Sequence, residues 1–80
     1  MIGVIADDVT GATDVAAALS REGLRTLLTL SAETPVTGDA DAIVTGLKTR
    51  SIPVADAVAT SLAALRTLQD AGATRFYFKY

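Results

Sequence analysis

Cysteine and histidine are both absent from this 80-residue chain. That excludes disulfide frameworks, thiol nucleophiles and zinc sites of the usual kind, and it fits a reducing compartment. No apolar run approaches the ~20 residues that a membrane-crossing helix needs. A basic stripe is missing too. Seven Lys and Arg stand against nine Asp and Glu, mixed along the chain, for a formal net charge of −2. Nucleic acid and anionic membranes therefore lack their electrostatic footprint. No signal peptide is expected at this N-terminus, because Asp7, Asp8 and Asp14 fall where its apolar core would lie. The expectation is a soluble, cytoplasmic protein with neither nucleic-acid nor membrane partners.

Familiar nucleotide and phosphate motifs are also missing. A dinucleotide fingerprint needs three spaced glycines after the first strand, and only Gly11 is there; no Walker-type phosphate loop occurs. A dehalogenase-like Asp-x-Asp fails because Val9 stands two residues after Asp7. A receiver domain needs a phosphoacceptor aspartate at the end of the third strand, where this chain has Lys48-Thr49-Arg50.

What the chain does have is apolar material, half of its residues. At this length it buries only about 60–65% of its unfolded surface, so stability is marginal. Ile2 to Ala6 is a continuous apolar run, the mark of a strand covered on both faces. Thr10 is the expected N-cap of a helix in which Ala12, Val15, Ala16 and Leu19 form a narrow stripe, with Asp14 near its positive end and Gly23 just past its end. Arg25–Leu30 reads as a second strand, Ser31–Ala40 as loop or a short helical turn, and Asp41–Leu47 as a third strand. A second helix begins near Ile52-Pro53, with Ser51 or Ile52 near the cap, Pro53 in the first turn, Val54, Val58, Leu62, Leu65 and Leu68 as its apolar face and Gly72 as its stop. Thr74–Tyr80 is an aromatic fourth strand. The order β-α-β-β-α-β predicts an α/β fold with an open, largely parallel sheet and flanking helices. The link between strands two and three is short for a parallel crossover. Because the sequence stops inside an aromatic strand, the chain reads as the N-terminal fragment of a larger domain.

Ligands in open parallel sheets bind outside the carboxyl ends of the strands. Three polar groups fall there: Asp7-Asp8, Lys48-Thr49-Arg50-Ser51 and Lys79-Tyr80. Carboxylates accept bonds from sugar hydroxyls, Arg50 can grip a carboxylate or phosphate with two parallel bonds, and Lys79 adds a point charge. Together they suit a small hydroxylated anion. Each has a plainer explanation: a cap for Asp7-Asp8, a solvated turn residue for Arg50, ordinary edge-strand residues for Lys79 and Tyr80. Thr10 and Gly11 could offer backbone N–H groups to an anion, or simply start a helix. Arg21, Arg25, Arg66 and Arg75 read as solvated surface, and Gly46 as a point of close backbone approach.

Three blocks taken in order resemble a known family. Ile5-Ala6-Asp7-Asp8-Val9-Thr10-Gly11-Ala12-Thr13-Asp14, Gly46-Leu47-Lys48-Thr49-Arg50-Ser51-Ile52-Pro53 and Phe76-Tyr77-Phe78-Lys79-Tyr80 are similar to the N-terminal domain of the four-carbon acid sugar kinases. That family was long known only as a domain of unknown function. The likeness spans essentially the whole chain and is greatest to the 3-oxo-tetronate kinase branch; threonate and erythronate kinases share most of it. It implies a two-domain ATP-dependent kinase whose second domain, absent here, holds ATP and Mg2+. By matched position it implies Asp8 on substrate hydroxyls with Asp7 beside it, Arg50 on the substrate carboxylate, and Lys79 and Tyr80 opening a further substrate-binding run. Asp7 and Asp8 are then binding residues first and catalytic candidates second; no metal ligand is implied among the 80 residues. A homo-oligomer is compatible with the resemblance. The alternative readings are a non-catalytic α/β module binding a small anion, and an inert structural fragment.

Overall fold

A strand covered on both faces needs apolar residues at successive positions, and the apolar runs become such strands. A computed structural model describes residues 1–80 as β1 (Ile2–Ala6), α1 (Val9–Arg21), β2 (Thr26–Thr29), β3 (Ala42–Gly46), α2 (Val54–Asp70) and β4 (Arg75–Lys79). The strands form one sheet in the order β2-β3-β1-β4, parallel throughout. The expected α/β class and element order are what the structure has.

Alternation along β1 and β3 sorts the core into two layers. Val4, Ala6 and Val44 pack with Ala12 of α1, while Ile5, Ile43 and Leu47 pack with Ala64 and Leu68 of α2. The helices thus cover opposite faces. From β1 the chain crosses to β2 on one side, and from β3 it crosses to β4 on the other. Such a reversal opens a crevice at the carboxyl ends of the central strands. Gly46 sits where α1 meets β3: a β-carbon there would lie 2.8 Å from Ala12 Cβ, so the close approach requires glycine. Both helices end in the same way. Gly23 and Gly72 have positive φ, and the amides of Leu24 and Ala73 reach back to the carbonyls of Leu19 and Leu68.

Several expectations need correction. Asp8, not Thr10, is the N-cap of α1; its carboxylate is already in place two residues earlier, which leaves Thr10 inside the first turn. The first turn holds no acidic residue, so Asp14 lies beyond it. Residues 31–40 contain no helix. They run as a strap with Ala32, Val36 and Ala40 against the α2-side core, pinned by the Thr67 hydroxyl donating to the Ala32 carbonyl at 2.6 Å. This strap serves as the crossover that makes β2 and β3 parallel neighbours. Arg25 is not free surface: its amide and guanidinium both engage the Asp41 carboxylate, tying the starts of β2 and β3. Pro53 is the cap residue of α2 and not part of its first turn. On α2 only Leu68 of the predicted apolar face is buried and Leu65 is half-buried. Val54, Val58 and Leu62 are exposed, because that half of the helix stands across an open groove of 380 Å³ from Tyr80.

Candidate substrate site

The carboxyl ends of β1, β3 and β4 share one rim because all three strands are parallel and in register: Ala6 lies opposite Gly46 on one side and Lys79 on the other. Backbone bonds then lash the turns together. The Asp7 amide donates to the Lys79 carbonyl at 3.2 Å, and the Thr49 amide donates to the Asp7 carbonyl at 3.2 Å. Residues far apart in sequence are thereby fixed around Asp7.

Asp8 divides its carboxylate between two duties. Oδ1 accepts from the Gly11 amide at 2.5 Å, which caps α1, and Oδ2 accepts from Arg50 Nη1 at 2.6 Å. Arg50 Nε also faces Asp7 Oδ2 at 3.7 Å. The Gly11 amide above all, then the Arg50 guanidinium, holds the Asp8 carboxyl below the ordinary carboxylate value, and Lys79 adds a smaller pull in the same direction. Reciprocally, the Asp8 bond and the Asp7 charge push Arg50 up.

These residues border a polar cleft of 250 Å³ lined by Asp7, Asp8, Thr10, Gly11, Asp14, Arg50, Lys79 and Tyr80. Seven candidates from the sequence meet here: Asp7, Asp8, Thr10, Gly11, Arg50, Lys79 and Tyr80. The helix start, however, is differently arranged from the expectation: the Gly11 amide is occupied by Asp8 and does not face an anion. Sequence reasoning had not placed Asp14 on the cleft wall. Its signal was the helical spacing, since Gly11 and Asp14 are three apart on one face of α1. Thr49 was also missed as a buried tie between the rims. Tyr80 is 79% exposed and its ring stacks on Phe78, with 6.1 Å between centroids. Together with Asp7 and Arg50 it borders both the polar cleft and the groove along α2. No three carboxylates are placed so that they could hold one metal ion, and no helix is long and apolar enough to cross a membrane.

A family profile described as "Sugar-binding N-terminal domain" matches residues 2–80. The chain belongs to that family. Among curated proteins, this sugar-binding domain is 52% identical over 81 residues to the 3-oxo-tetronate kinase of Burkholderia multivorans, a match covering 100% of the chain and 19% of the relative. Among solved structures it superposes with a TM-score of 0.93 on a Haemophilus influenzae protein of the DUF1537 family, at 47% identity, covering 98% of this chain and 19% of that one. A Salmonella typhimurium LT2 protein provisionally described as a tRNA synthase gives a TM-score of 0.92 at 48% identity, over 99% of this chain and 19% of that one. The sugar-binding domain thus spans about a fifth of the length of the relatives that it matches.

Proposed function

We propose that these 80 residues form the sugar-acid side of the substrate site in an ATP-dependent kinase acting on a four-carbon acid of the 3-oxo-tetronate, threonate or erythronate type. The observation that carries this reading is the contact between Asp8 and Arg50, 42 residues apart in sequence, over one rim of the sheet. A carboxylate that can accept hydroxyl protons and a guanidinium that can grip a carboxylate line one cleft of small-molecule size. Curated relatives named 3-oxo-tetronate kinase support the substrate class. The tRNA description of the Salmonella relative finds no counterpart in this chain, which carries a net negative charge and no basic stripe.

Within that activity the chain binds and orients. Asp8 is a poor general base as it stands, since both its oxygens accept strong bonds and its proton affinity is lowered. Asp7 and Asp8 therefore hold substrate hydroxyls, Arg50 the carboxylate, and Lys79 and Tyr80 close the far wall. Mg2+-ATP is assigned elsewhere in the kinase, because this chain carries no glycine-rich phosphate loop. ATP and Mg2+ belong to the rest of the kinase, a cytoplasmic enzyme with no membrane or nucleic-acid partner, and Asp7 stays the catalytic candidate of this chain. Calorimetric titration of the full-length protein with erythronate and with its neutral methyl ester tests the reading. Erythronate binds and the ester is lost; equal affinity for the two would remove Arg50 as the carboxylate grip.

A further inference from the structure

We infer that Asp8 and an acidic ligand compete for Arg50, so that the cleft opens a hydroxyl-accepting position only when a carboxylate takes the guanidinium. The inference rests on the sugar-acid reading above and adds to it the order in which the two halves of the ligand are recognised.

Three observations lead there. First, both Asp8 oxygens are engaged, one by the Gly11 amide and one by Arg50. A ligand hydroxyl approaching Asp8 has to share its outward oxygen with the Arg50 guanidinium. Second, Arg50 turns Nη1 to Asp8 and Nε to Asp7, which leaves only Nη2 without a carboxylate beside it. Two-pronged recognition of an incoming carboxylate needs two N–H groups of one guanidinium side by side. One existing contact must yield. Third, the cleft wall carries three carboxylates, Asp7, Asp8 and Asp14, against two cations, Arg50 and Lys79. It is net negative, so an anion enters unfavourably unless it replaces an internal carboxylate.

Asp8 is the one to be replaced. The Asp7 carboxylate is the more enclosed, 16% exposed against 33% for Asp8. Lys79 stands ready as a substitute partner. It makes no ion pair, and its Cε passes 3.5 Å from where a β-carbon of Gly11 would sit, while Asp8 Oδ1 lies 2.9 Å from the same point. As Arg50 swings to the ligand, Asp8 keeps its cap bond to Gly11, leans on Lys79, and presents Oδ2 to a hydroxyl. Carboxylate and hydroxyl are then read together. A ligand with only a carboxylate breaks the pair and leaves Asp8 to Lys79 alone, and one with only hydroxyls has to share Oδ2 with Arg50.

Equilibrium binding on the full-length protein distinguishes the outcomes, using propionate as a carboxylate without hydroxyls and erythronate as the complete ligand. Asp8→Asn keeps the helix cap, because asparagine caps as well as aspartate does, but it frees Arg50. Propionate should bind this variant about threefold tighter than wild type, the scale of an exposed ion pair, while erythronate binds it more weakly. Asp8→Ser, also a good cap, gives the same crossing if the first variant folds poorly. Propionate binding both variants no better than wild type, with erythronate still bound by wild type, overturns the competition and leaves the sugar-acid site standing. Failure of wild type to bind erythronate overturns both.

Discussion

Gly46→Ala tests how the packing of α1 sets the cleft. The added β-carbon would stand 2.8 Å from Ala12 Cβ, 3.1 Å from Leu30 Cδ2 and 3.7 Å from Val9 Cα. Carbon atoms settle at about 3.5–4.0 Å, so Ala12 has to retreat by roughly 1 Å. Leu30 is 60% exposed and can swing aside; Ala12 is fully buried and moves only with its helix. Overpacking of this kind costs about 1–3 kcal/mol, set against roughly 4–12 kcal/mol in all for a chain of this length. Urea unfolding should show that loss with an unchanged slope. Ala12→Gly alone costs about 1 kcal/mol through helix propensity, yet it makes the room that Gly46→Ala needs. The double variant should therefore lose less than the two singles together, with a coupling of about 1–2 kcal/mol. A Gly46→Ala loss under about 0.5 kcal/mol, or strict additivity with Ala12→Gly, would refute the steric account. Because α1 starts at the Asp8 cap, the same shift moves Asp8 relative to Arg50, and sugar-acid affinity should fall even where the domain stays folded.

Further outcomes follow from the same geometry. In the full-length kinase, Arg50→Ala should raise KM for the sugar acid about tenfold or more, as loss of a charged hydrogen bond does, with KM for ATP nearly unchanged. Equal effects on both would count against its role. Asp8 and Asp41 carry carboxyls held below the ordinary value of 3.8, the first chiefly by the Gly11 amide and the second by the Arg25 amide. The unfolded chain thus binds more protons, and their contribution is complete above that value and lost as pH falls below it. Acid unfolding followed by circular dichroism should become shallower in Asp41→Asn, and an unaltered profile would remove Asp41 from the explanation. Leu68→Ala, at a fully buried position, should cost about 2–5 kcal/mol. Val54→Thr, at 78% exposure, should stay within about 0.5 kcal/mol; comparable losses at the two positions would mean that the α2 face is covered in solution.

Much of the fold was legible because its signals are local. Unbroken apolar runs marked the strands, and Gly23 and Gly72 marked both helix ends, where a positive φ is needed. Helix starts were read less well. Thr10 has a capping hydroxyl, but so close to Asp8 the choice between them depends on where the strand releases the chain, which β1 pairing decides. Leucine and valine periodicity on α2 gave a face without saying what covers it. The four strands of this chain cover only the half around Ala64 and Leu68. The rim cluster was legible from topology alone, since parallel strands in one sheet must end on one side. Hidden from the sequence was the pairing inside the cluster. That the Gly11 amide belongs to Asp8, and Asp8 to Arg50, depends on side-chain directions that no spacing rule supplies.

The double duty of Asp8 ties architecture to recognition in one side chain. Glutamate would keep the charge but push the carboxylate one methylene past the Gly11 amide; alanine would remove helix start and guanidinium partner at a stroke. Variants here would arrive in a screen as poorly expressed protein as often as inactive protein. Activity per folded molecule, and not activity per cell, is the quantity that would reveal what the residue does.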